Sequence, residues 1–353
     1  MNRAIAISDR LCRVSLALIA AANVIFLVGF VAAVLLAMDA RAAAPDCKGT
    51  DLLERMQAEE PAQLAKIEAE AQAVPNGRGL LWKVEKPGVE ASYLFGTMHL
   101  TDARVVDLTP QARDAYLSAD TVVIETTDVL DEGRMLATMM ERPELTMFTD
   151  GSTLNSHLDA DKAAQLEAAL AGRGIPPASV QKMKPWMLAA ALSLPACEMA
   201  RKAAGAQVLD VKLAKEAEAD GKRIAGLESA ADQLEAMASL PIDFHIDGLI
   251  ATLKLGGELD DLFETMIVLY EREEVGMVWP LFQAAVPEAA DKSGYAAFEE
   301  VMIRQRNKTM ASKAAPFLGE GNSFIAVGAL HLPGEEGLVA LLRKAGYTVT
   351  PAG

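Results

Sequence analysis

Cysteine is scarce: Cys12, Cys47 and Cys197 are the only three in 353 residues, and no Cys-x-x-Cys occurs. That excludes a disulfide-scaffolded mini-domain and a cysteine-built zinc finger. Histidine is limited to His99, His157, His245 and His331, so histidine-dependent chemistry must use one of these four. Positive charge is in deficit, with 33 Lys and Arg against 49 Asp and Glu and a net charge of -16. Nucleic acid is thereby excluded as the main partner, because a phosphate backbone needs clustered cations. There is no Gly-x-Ser-x-Gly elbow, His-Glu-x-x-His, Walker loop or Gly-x-Gly-x-x-Gly, so those hydrolase and nucleotide sites have no support. With 51% hydrophobic and 23% charged residues, the chain is neither a disordered tail nor a coiled coil.

One long apolar run is present. Val14 to Met38 carries no charged side chain; Arg3, Arg10 and Arg13 precede it, and Ala40-Arg41-Ala42 follows it. Its length suits a bilayer span, and the arginines place its N-terminal side in the cytoplasm. Ala40-Arg41-Ala42 also fits a signal-peptidase site. Residues 1–44 are thus expected to be a signal peptide or an N-terminal transmembrane anchor. Residues 45–353 are then an exported domain, periplasmic or on the extracytoplasmic face of the inner membrane. Export leaves Cys47 and Cys197, an even pair that an oxidising compartment would join, although two buried thiols are the alternative.

The exported part alternates strand and helix signals. Residues 45–75 have helical spacing, and Pro75-Asn76-Gly77 ends them. Leu80–Val84 and Ala91–Phe95 flank the turn Lys86–Glu90 and read as a hairpin. A helix over Thr109–Leu117 and a strand at Thr121–Ile124 complete a β-α-β unit. Residues 128–225 are mostly helical, with Trp186–Leu194 apolar enough to be buried all round. Lys222–Leu227 is a strand, helices fill 229–318, and Ala296–Met310 is one of the clearest. The end echoes the beginning: a strand at Ser323–Val327, a helix at Glu335–Lys344 and a strand at Tyr347–Thr350. The expected fold is therefore α/β (α+β), a central mixed sheet with two strand–Gly-x-x-His–helix–strand units and a large helical insertion.

Those units carry the candidate chemistry. Gly96-Thr97-Met98-His99 and Gly328-Ala329-Leu330-His331 each follow a strand, where ligands of open α/β sheets bind. The glycine permits a positive φ or a close backbone approach. Glu125 and Glu228 also end apolar strands. Two imidazoles and one or two carboxylates form a ligand set for a divalent metal, and a carboxylate beside it can act as general base. Each glutamate has the alternative of capping the next helix. Arg304-Gln305-Arg306-Asn307 lies on a predicted helix, where an arginine is usually solvated but, if buried, can fix a carboxylate or an oxyanion. His157 and His245 lack a partner motif and read as structural or surface residues.

Leu81-Trp82-Lys83-Val84, Tyr93 to His99, Val327 to Leu332 and the Leu338–Thr350 tail resemble the TraB/PrgY/GumN family over roughly 45–353. Cys47 with Asp51-Leu52-Leu53, Lys184-Pro185-Trp186, Pro195-Ala196-Cys197 and Gly226-Leu227-Glu228 resemble its bacterial GumN-like branch. Tiki-type members of this wider group are divalent-metal-dependent proteases. The resemblance implies His99, His331 and Glu125 as metal site, with Mn, Co or Zn suited to it. A more remote superfamily of erythromycin-esterase-like hydrolases and a haem-binding lipoprotein carries an arginine near the second motif, which implies Arg306. The expected function is an exported metal-dependent hydrolase, a peptidase acting on a peptide or protein substrate. Glu125, Arg306 and Glu228 are its candidate catalytic residues. The alternatives are a non-catalytic binder of a peptide, haem or metal, and an accessory of envelope polysaccharide export. Membrane contact is expected through residues 1–44 if they are not cleaved.

Overall fold

Leu81–Lys86 (β1) and Val89–Thr97 (β2) pair antiparallel about Pro87-Gly88, where Gly88 takes a φ of 79° that a side chain would resist. This hairpin starts the sheet in the computed structural model, which describes residues 47–285 and 292–353. Thr121–Ile124 (β3), Arg223–Gly226 (β4), Ser323–Gly328 (β5) and Thr348–Pro351 (β6) complete it. The order is β4-β3-β5-β2-β1-β6. β6 pairs antiparallel with β1, while β2, β5, β3 and β4 run parallel to one another. The expected β-α-β unit is present as β2, helix Pro110–Ser118 and β3. Its two strands are not neighbours, because β5 fills the gap between them.

Alternation along these strands builds two cores. Phe95, Val122, Ile124, Phe324 and Ala326 face one layer of helices with Tyr116 and Leu213. Leu94, Val123, Ile325 and Val327 face the other with Met310, Leu318 and Leu342. Strands buried on both faces account for their continuous apolar runs.

Several helices differ from the sequence expectation. Residues 45–75 hold two, Leu52–Glu59 and Pro61–Gln72, because Pro61 cannot donate a hydrogen bond to a preceding turn and so starts a new helix. Helix Pro185–Ser193 is not buried all round: Pro185, Leu188 and Leu192 face the core, whereas Ala190 and Ala191 are exposed. Its alanines supply apolarity without demanding burial. The expected helix at 296–310 consists of Lys292–Glu299, a π-helical turn at Glu300–Gln305 and the start of Arg306–Glu320. The last helix begins later than expected, at Leu338.

The segment 1–44, expected to be a signal or anchor, lies outside the described residues. Among the described residues no helix is long and apolar enough to cross a membrane. Cys47 and Cys197 form the expected disulfide, with Cα atoms 5.3 Å apart across 150 positions of sequence. His245, on helix Ile242–Leu255, is buried with Nε2 lacking a hydrogen-bond partner. Burial pushes it down to about 4, partly countered by a hydrogen bond with the Met237 backbone, with Lys184 adding to the depression.

Two outcomes are expected. The Cys47→Ala/Cys197→Ala variant loses about 2–5 kcal/mol of stability in urea denaturation, since the link constrains the unfolded chain. His245 takes a proton near pH 6.5 when unfolded but only near 4 when folded. Its contribution is therefore present above pH 6.5 and lost as pH falls towards 4. Wild type should lose on the order of 2–3 kcal/mol more than His245→Met across that window, read from paired pH–stability curves.

Candidate functional site

The four parallel strands end side by side. Thr97 of β2 lies opposite Gly328 of β5, and Ile124 of β3 opposite Gly226 of β4. Just beyond those ends come His99, His331, Glu125 and Glu228. Read across the sheet, the site runs Glu228, Glu125, His331, His99, in the order β4-β3-β5-β2. The two carboxylate-bearing loops are tied together, since the Glu228 N–H donates to the Glu125 carbonyl at 2.7 Å.

The motif glycines serve close approach rather than a left-handed turn, for neither Gly96 nor Gly328 has a positive φ. A Cβ on Gly96 would lie 2.7 Å from Leu332 Cδ1 and 3.0 Å from Ala329 Cα. One on Gly328 would lie 3.1 Å from Glu125 Oε1. Both are the last or next-to-last residues of their strands, not residues beyond them.

Neither glutamate caps a helix. Thr126 caps the 3-10 turn Thr127–Leu130, and Ser229 with Asp232 forms the capping box of helix Ala230–Ala238. Both carboxylates are free of capping, and Arg306 gathers them; Glu125 lines the cavity, whereas Glu228 does not. Its Nη2 lies 2.8 Å from both Glu125 Oε2 and Glu228 Oε2, and its Nε donates to Glu228 at 3.0 and 3.2 Å. Its Nη1 donates to the Met302 carbonyl at 3.2 Å, in the π-helical turn. Glu125 also accepts from the Gly328 N–H at 2.6 Å and from Gln233 Nε2 at 3.0 Å. Burial alone would raise the Glu125 carboxyl; His331, which is charged only in acid, the Arg306 and His99 charges and the Gly328 N–H hold it down at about 2.

His331 sits on a 3-10 turn, Ala329–His331, and is buried. Asn307 Nδ2 donates to the Glu336 carbonyl at 2.8 Å, which turns its Oδ1 towards His331 Nδ1 at 2.7 Å. Nδ1 must therefore carry the proton and Nε2 the lone pair. Burial keeps this ring neutral, down at about 4 despite Glu125. Its Nε2 faces Glu125 Oε1 at 3.6 Å. Two electron-pair donors thus confront one another.

His99 stands at the cavity with 60% of its side chain exposed, and its Nε2 is 3.4 Å from Asp210 Oδ2. Thr97 Oγ1 fixes the other Asp210 oxygen at 2.8 Å, and Oδ2 is buried without a hydrogen-bond partner. Burial opposes protonation of His99, but Asp210 and Glu125 outweigh it and push the ring up to about 9. Water in the open cavity tempers that shift without reversing its direction. The loop beyond His99 is anchored by buried Glu198, which accepts from Thr101 N and Oγ1, each at 2.8 Å. Glu198 follows Cys197, so the disulfide lies beside this anchor.

His99, His331, Glu125 and Arg306 line one cavity of about 320 Å³. Asp210 Oδ2, an orphaned buried oxygen, and the lone pair of His331 facing Glu125 are what a divalent cation would satisfy. Their spacings match donors on a common cation, which bonds near 2.1 Å place about 3.4 Å apart in a tetrahedron. The donors stand in two pairs rather than one closed cage. Among the described residues, no group of three or more His, Cys, Asp or Glu is arranged to hold a metal ion.

Sequence reasoning missed Asp210, Gln233 and Asn307. Asn307 lay inside a run already singled out, one residue beyond Arg306. Asp210 in the first turn of helix Leu209–Ala219 is an ordinary position for an acid and carries no signal. Arg304 pairs with Glu299, and His157 stacks on Phe148 with ring centroids 5.0 Å apart; neither they nor His245 are among the cavity-lining residues.

Comparison with known proteins gives the family. The profile of the TraB/PrgY/gumN family matches residues 80–351. Metalloprotease TIKI2 of Danio rerio is 26% identical over 320 residues, covering 76% of this chain and 60% of its own length. Metalloprotease TIKI1 of the same organism is 26% identical over 329 residues, covering 77% and 63%. The chain spans about three fifths of the length of these curated relatives.

Arg306→Met would leave Glu125 and Glu228 buried without their cation. The expected cost is about 3–5 kcal/mol at neutral pH in chemical denaturation. Because Glu125 would lose one of the charges that hold its carboxyl down and would take up a proton more readily, the gap to wild type should narrow as pH falls to 5. A gap independent of pH would mean that the guanidinium is not what keeps Glu125 ionised.

Proposed function

This chain belongs to the TraB/PrgY/gumN family, and we propose that it is an exported, divalent-metal-dependent peptidase. The observation that carries the reading is the His331 Nε2 lone pair aimed at ionised Glu125 across 3.6 Å, in a cavity shared with His99. The names of the two Danio rerio relatives support the same class of chemistry. His331, Glu125 and His99 would hold the cation, which would displace the proton His99 shares with Asp210 and leave Asp210 as a further oxygen donor. Mn, Co or Zn would suit this set. The chemistry such a cation supplies is polarisation of the scissile carbonyl and acidification of water.

The chain's own residues prepare that site. Asn307 fixes the tautomer of His331 and keeps Nε2 unprotonated. Arg306 holds Glu125 ionised and aimed; with Nε and Nη2 committed to the two carboxylates, any help to an oxyanion falls to Nη1. Glu125, held near 2, is a better ligand than proton acceptor at neutral pH. Glu228 serves through Arg306, and Gly328 N–H locks the second Glu125 oxygen. Peptides or proteins are the substrate class. Export is supported by the uncharged run Val14–Met38 and by the Cys47–Cys197 link, which suits an oxidising compartment.

The test uses the purified full chain and a peptide library with Mn²⁺, Co²⁺ or Zn²⁺. Turnover should vanish on chelation and fall about 10²–10⁴-fold in Glu125→Gln. The added metal should also raise the melting temperature of wild type but not of His331→Ala, by ligand linkage. Turnover untouched by chelation, or undiminished in folded Glu125→Gln, would sink the proposal.

A further inference from the structure

The cavity is lined by two unlike sets of side chains. One is His99, Glu125, Arg306 and His331; the other, an apolar wall, is Met98, Met266, Trp279, Phe298, Met302 and Ile303. These six side chains come from several separate elements, so their convergence is a property of the fold and not of one amphipathic helix. The wall is also held in shape. Trp279 meets Phe298 edge-on with ring centroids 5.8 Å apart, and Phe298 packs on Phe244 at 5.9 Å. Gly294 makes room for that contact, since a Cβ there would lie 2.8 Å from the Phe244 ring. The π-helical turn Glu300–Gln305 supplies Met302 and Ile303 to the wall, and the Met302 carbonyl binds Arg306. Apolar wall and ion cluster are thus mechanically joined through one residue.

A charged side chain pressed against this wall would lose its water and meet no counter-charge there. A bulky apolar side chain would exchange water for aromatic and thioether surface, and methionines adapt to several shapes. About 320 Å³ is at the small end of ligand pockets, room for a side chain and its neighbouring peptide group rather than a folded partner. We infer that the site takes a peptide segment carrying a bulky apolar side chain, such as Leu, Met or Phe, next to the bond presented to His331 and Glu125. This rests on the peptidase reading for the word bond, but the pocket's preference stands apart from turnover.

The experiment has two readouts. Full chain with Mn²⁺, Co²⁺ or Zn²⁺ is given a mixed peptide library, and the residues flanking each cut are counted by mass spectrometry. Leu, Met and Phe should be enriched at least about tenfold over Gly, Asp and Lys at one adjoining position, in the range that pocket contacts discriminate. Ile303→Lys should abolish that preference and favour Asp or Glu, while Met302→Leu should retain it. Separately, ligand-observed NMR compares N-acetyl-leucinamide with N-acetyl-aspartamide; only the first should contact wild type, and the contact should be lost in Ile303→Lys. Cleavage with a flat or charged preference would overturn the inference and leave the peptidase reading standing. Without any cleavage the peptidase reading fails; selective binding of the leucine amide would then keep the pocket assignment, and equal or no binding would end both.

Discussion

Everything at the site depends on four parallel strands ending at one edge of the sheet, β2 level with β5, and β3 level with β4 two residues earlier. β4, β3, β5 and β2 deliver Glu228, Glu125, His331 and His99 to the same edge of the sheet. Parallel pairing buried on both faces leaves little freedom of register, because a one-residue slip would turn every apolar side chain to the wrong core. The same rigidity fixes the spacing between side chains that the sequence keeps far apart. Gly96 and Gly328 belong to this constraint: they let the second histidine turn sit directly against the end of β2 and let Glu125 lie across the end of β5.

The second constraint is charge. Two buried carboxylates on adjacent loops would repel one another strongly in a medium of low polarity. Arg306 answers this by bridging both, and the backbone of Gly328 and the amide of Gln233 take the remaining Glu125 valences. The outcome is an anion that is held in place, opposed to an imidazole that burial keeps neutral. Around His99 the arrangement differs: an open ring, a single carboxylate and a more hydrated setting. The site is therefore rigid on the β3 and β5 side and more accessible on the β2 side.

Much of this was readable in the sequence, for definable reasons. Strands such as Val122-Val123-Ile124 and Phe324-Ile325-Ala326-Val327 announce themselves because burial on two faces leaves no polar positions. The paired Gly-x-x-His motifs stand out because histidine is rare in this chain, and the resemblance to a family added Arg306. Strand order was not readable: nothing in Ser323–Gly328 says that it lies between β2 and β3. The π-helical turn was missed because its residues have ordinary helical character and its wider hydrogen-bond spacing is visible only in the backbone. Asp210 and Gln233 escaped because their importance comes from a partner more than a hundred positions away, Thr97 for one and Glu125 for the other.

The central position of β5 also bears on how the molecule comes into being. It is made after β2, β3 and β4, yet it completes the middle of the sheet. Until Ser323–Gly328 is inserted, β2 and β3 face each other across an empty lane with unpaired edges, the kind that invite association with other chains. The histidine pair and the clamp on Glu125 do not exist before that moment either, since Gly328 and His331 arrive with the same segment. Closure of the sheet and assembly of the site are thus one event, dominated by contacts of long sequence separation and correspondingly slow. Until β5 is in place, His99 and Glu125 are present in the chain without the segment that brings His331 to them.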